Sequence, residues 1–165
     1  MSTAIFYGSS TGNTQSAAVA IGKCLGINDI YDISEGVEKM NGYDKIILGA
    51  STWGEGSLQD DWESEWKDFC ELNFQGKTVA LFGLGDQESY GDNYLDAMGE
   101  IYEVIIKKGG NIIGEWSSDG YVHDQSKAEI VSGFFVGLAL DEDNESDLTP
   151  SRIETWCSQI KDKFL

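Results

Sequence analysis

Six consecutive residues, Ser9-Ser10-Thr11-Gly12-Asn13-Thr14, carry the most legible chemistry in this chain. They follow a short apolar run, Ala4-Ile5-Phe6-Tyr7, and lead straight into a helical pattern, so the order is strand, small hydroxylated turn, helix. Such a turn leaves backbone N–H groups unpaired at the positive end of the helix dipole and adds hydroxyls aimed the same way, which makes a cradle for a phosphate. An absence decides its kind: no Lys or Arg occurs between Met1 and Gly22. A nucleoside triphosphate loop needs a lysine for the outer phosphates, and the G-x-G-x-x-G fingerprint of dinucleotide sites is also missing. One phosphate monoester held by neutral dipoles is the ligand that suits this turn. Taken alone, the stretch also fits an ordinary N-capped strand-to-helix turn.

Two later loops add flat side chains. Ser51-Thr52-Trp53-Gly54-Glu55-Gly56 and Gly83-Leu84-Gly85-Asp86-Gln87-Glu88-Ser89-Tyr90-Gly91-Asp92-Asn93 each set one large aromatic among glycines. Glycine lets backbone approach a ligand closely. Trp53 and Tyr90 together are placed to sandwich a planar ring system, stacking contributing roughly 0.5–1.5 kcal/mol each beyond burial. Either residue alone would serve equally well as a roof over the end of a sheet.

The elements that position these loops alternate. Ala17, Ala18, Ile21, Cys24 and Leu25 recur at helical spacing, as do Trp62, Trp66, Phe69 and Cys70, and then Leu95, Met98, Ile101, Tyr102 and Ile105 up to a stop at Gly109-Gly110. Between them lie a short strand at Ile30-Tyr31-Asp32-Ile33 and continuous apolar runs at residues 45–50 and 78–82, as in strands covered on both faces. Ile112-Ile113-Gly114 and Phe134-Phe135-Val136-Gly137-Leu138-Ala139-Leu140 follow, and Thr149 as cap with Pro150 at the first position opens the last helix. This alternation implies an α/β fold of three layers, one parallel sheet between helices, with five strands in the common order 2-1-3-4-5. Ligands of such sheets bind beyond the carboxyl ends of the strands, where the three loops meet.

The 165 residues make one domain, 1–165, with 41% hydrophobic residues. No apolar run is long enough for a membrane span. Cys24, Cys70 and Cys157 are scattered, which argues against a disulfide framework or zinc and for a cytoplasmic setting; all three are expected as buried, inert thiols on helix stripes. A net charge of −18 repels nucleic acid and anionic membranes and draws basic protein partners. No catalytic triad, metal cluster or acid-base carboxylate pair is legible in the sequence.

Gly8 to Thr14, Thr52-Trp53-Gly54, Gly83-Leu84-Gly85-Asp86-Gln87, Ser118-Asp119-Gly120-Tyr121 and Phe135-Val136-Gly137-Leu138-Ala139-Leu140-Asp141 together resemble the flavodoxin family almost from end to end. Flavodoxin is itself a standard example of the 2-1-3-4-5 order. The resemblance favours the long-chain group, whose fifth strand is interrupted by some twenty residues, here about 115–133. It implies non-covalent FMN, with Ser9, Ser10, Thr11, Gly12, Asn13 and Thr14 on the phosphate, Trp53 on the inner flavin face and Tyr90 on the outer. It further implies that Asp86 accepts from flavin N3–H, and that backbone amides near Gly85 and Gln87 meet the pyrimidine oxygens. Thr52 and Leu84 belong to the same loops. At Gly54 a peptide flips so that its carbonyl bonds flavin N5–H. Asn93 lies near the outer flavin and Asp143 near the phosphate end.

The chain departs from the family pattern in three places. Ser9 stands for a frequent threonine, Asn13 for a lysine of several members, and His123 for an aromatic after the Asp-Gly-Tyr turn; the lone histidine is expected as a solvated loop residue. The implied function is a low-potential one-electron carrier, not an enzyme, cycling FMN between semiquinone and hydroquinone. Its partners would be basic-surfaced redox proteins, such as a flavodoxin reductase or an oxidoreductase using low-potential electrons, met by a monomer. Two acidic clusters, Asp60-Asp61-Glu63-Glu65-Asp68 and Asp141-Glu142-Asp143-Glu145-Asp147, are the expected docking surface. A quinone-reductase-like FMN enzyme would need a second nucleotide site. A phosphoacceptor domain would need an aspartate where this chain has Ser51 and Thr52.

Overall fold

A computed structural model describes residues 2–164. Along the chain run β1 (Thr3–Tyr7), α1 (Asn13–Leu25), β2 (Ile30–Asp32), β3 (Lys45–Trp53), β4 (Ser57–Leu58), α2 (Asp60–Cys70) and β5 (Thr78–Leu84). They are followed by α3 (Asp96–Lys107), β6 (Asn111–Ile113), β7 (Trp116–Ser117), β8 (Phe134–Phe135), β9 (Leu138–Leu140) and α4 (Thr149–Phe164). The main sheet has the order β2-β1-β3-β5-β6, all parallel. In strand positions this is the expected 2-1-3-4-5.

The fifth position is split. β6 pairs with the start of β5 (Val79 opposite Ile112), and β9 takes up the same edge further along (Phe82 opposite Leu138). Residues 114–137 leave the sheet between them, as the resemblance implied. The run Phe134–Leu140 is therefore not one strand. Phe134 and Phe135 pair antiparallel with β7, and the chain enters the main sheet only after Gly137. A Cβ at Gly137 would lie 2.1 Å from the Leu81 carbonyl oxygen, so only glycine passes so close to β5.

Alternation along the strands sends neighbours to opposite faces. Phe6, Leu48 and Leu81 pack with Trp62, Phe69 and Ile101 of α2 and α3, whereas Ile5, Ile47 and Phe82 pack with Ile21 of α1 and Trp156 and Ile160 of α4. Each such fully buried side chain contributes about 1.5–3 kcal/mol. The strands thus present their carboxyl ends to one pole, and the helices return to the other.

Two local expectations change. β3 runs on to Trp53 and folds back through Gly54 and Gly56 (φ 52° and 97°) into the short antiparallel β4. Thr149 is already helical, and its hydroxyl donates to the Glu142 carboxylate instead of capping α4.

Candidate functional site

The turn after β1 is built from its own side chains. Ser9 Oγ accepts from Gly12 N–H at 3.0 Å, and Gly12, at φ 91°, turns the chain into α1. Ser10 Oγ accepts from Gln59 Nε2 (2.8 Å), and Thr14 Oγ1 lies 2.6 Å from Ser51 Oγ, which ties α1 to the end of β3. The first helical bond runs from Ser16 N–H to the Gly12 carbonyl. Among the described residues, the amides of Asn13, Thr14 and Gln15 find no acceptor, and the first turn of α1 contains no acidic residue. An open, positive helix end with no carboxylate of its own is an anion site.

Gln59 was not singled out in the sequence. It is fully buried and caps α2, its Oε1 accepting from Asp61 and Trp62 N–H while Nε2 reaches Ser10 Oγ and Asp61 Oδ2. A Cβ at Gly8 would come 2.4 Å from that Oε1, so glycine at position 8 seats the turn against α2. Glutamine is not among the usual capping residues, which left no signal to read.

A cleft of about 340 Å³ opens where the three loops meet. Thr11 and Asn13 line it from the first loop, Ser51, Thr52, Trp53 and Gly54 from the second, and Leu84, Gly85, Asp86 and Tyr90 from the third. Glu142 and Asp143 close one side. Ser51 and Glu142 are additions to the expected set; Ser51 is adjacent to the aromatic loop and Glu142 to Asp143. Ser9, Ser10, Gly12, Thr14, Gln87 and Asn93 stand behind the lining. Trp53 and Tyr90 keep 43% and 44% of their surface exposed, so neither serves as a packed roof of the sheet.

The third loop is held from beneath. Gln87 is buried, and both its amide N–H and its Nε2 donate to Asp141 Oδ2 (3.2 and 2.9 Å). The Gly85 amide donates to the Leu140 carbonyl. Both amides expected to face a ligand are thus engaged with β9 and the residue after it. Asn93 turns its side chain to Asp96 at 3.0 Å, away from the cleft. Thr52 Oγ1 accepts from Ala97 N–H, linking the second loop to α3.

The lining is acidic and contains no basic residue. Burial alone would raise the Asp86 carboxyl, but hydrogen bonds from Ser89, Asn144 and Glu88 outweigh it and hold Asp86 below the usual aspartate range. The Glu88 and Ser89 amides and Asn144 Nδ2 all reach Oδ1. Asp143 goes the other way, raised by burial and by the carboxylates of Asp86, Asp141 and Glu142. Six lysines lie at the far pole: Lys23, Lys67, Lys107, Lys161 and Lys163 sit in last helical turns, and Lys45 opens β3, whereas Lys127, against the start of α3, and Arg152, in the first turn of α4, are paired with Glu100 and Glu145.

Three further expectations are corrected. Asp141 is fully buried and Glu145 is paired with Arg152 at 2.9 Å, so neither belongs to a docking surface. Cys24 is exposed and Cys70 half-buried; only Cys157 is buried. The His123 side chain is 7% exposed and lies 2.7 Å from Glu129, so it is not a solvated loop residue.

Fold and cleft together define a doubly wound α/β protein with an acidic, aromatic-flanked cleft at the carboxyl ends of its strands. The family model described as Flavodoxin matches residues 5–156. A flavodoxin of Picosynechococcus is 46% identical over 164 residues, covering 97% of this chain and 96% of that protein. Flavodoxin 1 of Salmonella typhimurium is 44% identical over 161 residues, 96% of this chain and 92% of that protein. The crystal structure of Fusobacterium nucleatum flavodoxin bound to flavin mononucleotide superposes with a TM-score of 0.89 at 35% identity, covering 100% of both chains. The chain belongs to the flavodoxin family.

Proposed function

We propose that this protein binds FMN non-covalently in the cleft and carries single low-potential electrons, cycling between semiquinone and hydroquinone, between redox proteins of the cytoplasm. The observation that carries this reading is the pairing of two half-exposed aromatics, Trp53 and Tyr90, with the acceptor-free amides of Asn13, Thr14 and Gln15 at the same cleft. FMN, when bound, supplies the one-electron chemistry; the chain supplies binding, orientation and electrostatics.

The acceptor-free amides of the first turn of α1 and the Thr11 hydroxyl receive the phosphate, while the Ser10 and Thr14 hydroxyls hold the turn in place through Gln59 and Ser51. Asp86 orients the ring by accepting from its N3–H. Gly54, with φ 52° and no atom within 4 Å of the position a Cβ would take, leaves room for its peptide to turn and offer a carbonyl to N5–H. Asp86, Glu142 and Asp143 make negative charge costly at the ring. One charge about 10 Å away contributes roughly 1.7 kcal/mol at an effective dielectric near 20, about 70 mV for one electron, and salt lowers it further.

The protein acts as a monomeric single domain whose acidic pole meets basic partners. Asp60, Glu63 and Asp68 are exposed on α2, and Asp143 and Asp147 beside the cleft. With six lysines at the opposite pole, the molecule is polarised and turns its cleft toward positive surfaces. An anaerobic reductive titration followed by visible absorbance tests the carrier role. Two resolved one-electron steps support it, and a single two-electron wave with rapid NAD(P)H oxidation by the pure protein counts against it.

A further inference from the structure

The insertion between β6 and β9 does more than lengthen the chain. Residues on either side of His123 hold the third loop from outside: Val122 N–H donates to Gln87 Oε1 (2.7 Å), and Asp124 and Gln125 N–H both donate to the Gly91 carbonyl (2.8 and 3.0 Å). Lys127 N–H donates to Asp96 Oδ1 (2.8 Å), at the start of α3. Gly91 follows Tyr90 directly; a Cβ there would lie 2.8 Å from the Gln87 carbonyl oxygen of its own loop and 3.6 Å from Asp124 of the strap, so the strap lies in contact with the loop at this glycine.

The strap is fastened at its centre. His123 Nε2 lies 2.7 Å from Glu129 Oε1, and Glu129 Oε2 accepts from Ser118 Oγ (3.0 Å) and Gly133 N–H (2.9 Å). One carboxylate thereby joins the beginning, middle and end of the insertion. The imidazole also packs on Tyr94, which directly follows the third loop, and on Phe135 of β8, with ring centroids 5.6 and 5.0 Å away. Burial works against charge on Glu129, yet the bonds from His123, Gly133 and Ser118 hold its carboxyl below the usual glutamate range.

The geometry points to His123 as a positioning residue: its bond to Glu129 is a latch that fixes the loop carrying Tyr90, and so sets how firmly the outer ring face is covered. This rests on the FMN reading for its effect on binding, but the latch itself is a statement about the loop. His123 touches neither the cleft nor a ligand and acts through Val122, Asp124 and Tyr94.

Two substitutions separate the bond from the packing. His123→Phe keeps an aromatic ring against Tyr94 and Phe135 but removes the donor to Glu129; His123→Gln keeps a donor at the Nε2 reach without the ring. The readouts are amide hydrogen exchange at Ser89, Tyr90 and Asn93 in the FMN-loaded protein, and the FMN dissociation constant. His123→Phe is expected to speed exchange at these amides and weaken FMN, each about tenfold, as loss of one charge-assisted hydrogen bond implies, while His123→Gln stays within about twofold of the parent. The latch is overturned if His123→Phe lowers global stability but leaves both readouts unchanged, or if His123→Gln behaves like His123→Phe. If the parent takes up no FMN, the reading of the cleft fails, and the exchange comparison in the flavin-free protein still decides the latch.

Discussion

Asp141 and Gln87, 54 positions apart, are joined by two hydrogen bonds: Asp141 Oδ2 accepts from the Gln87 amide and from its side-chain Nε2. The same carboxylate accepts from the Asp143 and Asn144 amides and from Asn144 Nδ2, five donors in all. The end of β9 thus holds the loop that follows β5, and with it the cleft wall at Gly85 and Asp86. Asp141→Ala strands the two buried Gln87 donors and frees the Asp143 and Asn144 amides, and is expected to lower unfolding free energy by about 3 kcal/mol. Urea denaturation checks this; a change under 1 kcal/mol would mean that the network is dispensable.

The aromatic pair yields a second expectation. Trp53→Ala and Tyr90→Ala each remove a stacking face worth about 0.5–1.5 kcal/mol plus the apolar area covered on binding, so each weakens FMN by about tenfold or more. Both side chains are exposed, so stability without FMN should move by less than about 0.5 kcal/mol. Fluorescence titration against urea unfolding separates the two effects.

Charge polarity predicts a kinetic signature. Association with a basic redox partner slows steeply as ionic strength rises, because exposed charges are screened beyond about 10 Å at 0.1 M salt. Neutralising Asp60 and Glu63 as amides lowers the on-rate and flattens its salt dependence, with little change in stability. Stopped-flow rates at several salt concentrations measure it, and a salt-independent rate would remove the steering account.

Asp143 and Asp86 set opposite pH trends. Asp143 is raised in the fold by burial and by the Asp86, Asp141 and Glu142 carboxylates, so the native state binds its proton more tightly than the unfolded chain. Its contribution to stability therefore falls as pH rises from the ordinary aspartate value of 3.8 through the raised folded value. Asp86 is lowered, and its contribution is full above the unfolded value and lost as pH falls through the folded one. Asp143→Asn should accordingly make the protein more stable at pH 7 than the parent and reduce its preference for mildly acid conditions. Denaturation at pH 4.5 and 7 tests the sign.

Local order was legible in the sequence; long-range burial was not. The strand-turn-helix at residues 4–25 and the runs of β3 and β5 follow from spacing alone, and loops that end parallel strands must meet at one pole. Phe134–Leu140 looked like one strand because its composition is uniform; only the close passage of Gly137 past Leu81 shows why it breaks. His123 and Asp141 looked like solvated polar residues. Their burial depends on partners far off in sequence or across the insertion, Glu129 and Phe135 for one, Gln87 for the other, and no local pattern records those meetings. Cys24 lies at the margin of the α1 stripe, where one step around the helix separates core from solvent.

In the proposed complex a cation-free helix end grips a phosphate while Trp53 and Tyr90 hold the ring beside it. Calorimetric titration of the flavin-free protein with FMN and, separately, with riboflavin tests both halves at once. One FMN per chain with riboflavin at least about 100-fold weaker is the predicted result, since the charge-assisted bonds to the first turn of α1 are lost without the phosphate. Equal affinity for the two, or no heat with either, would contradict it.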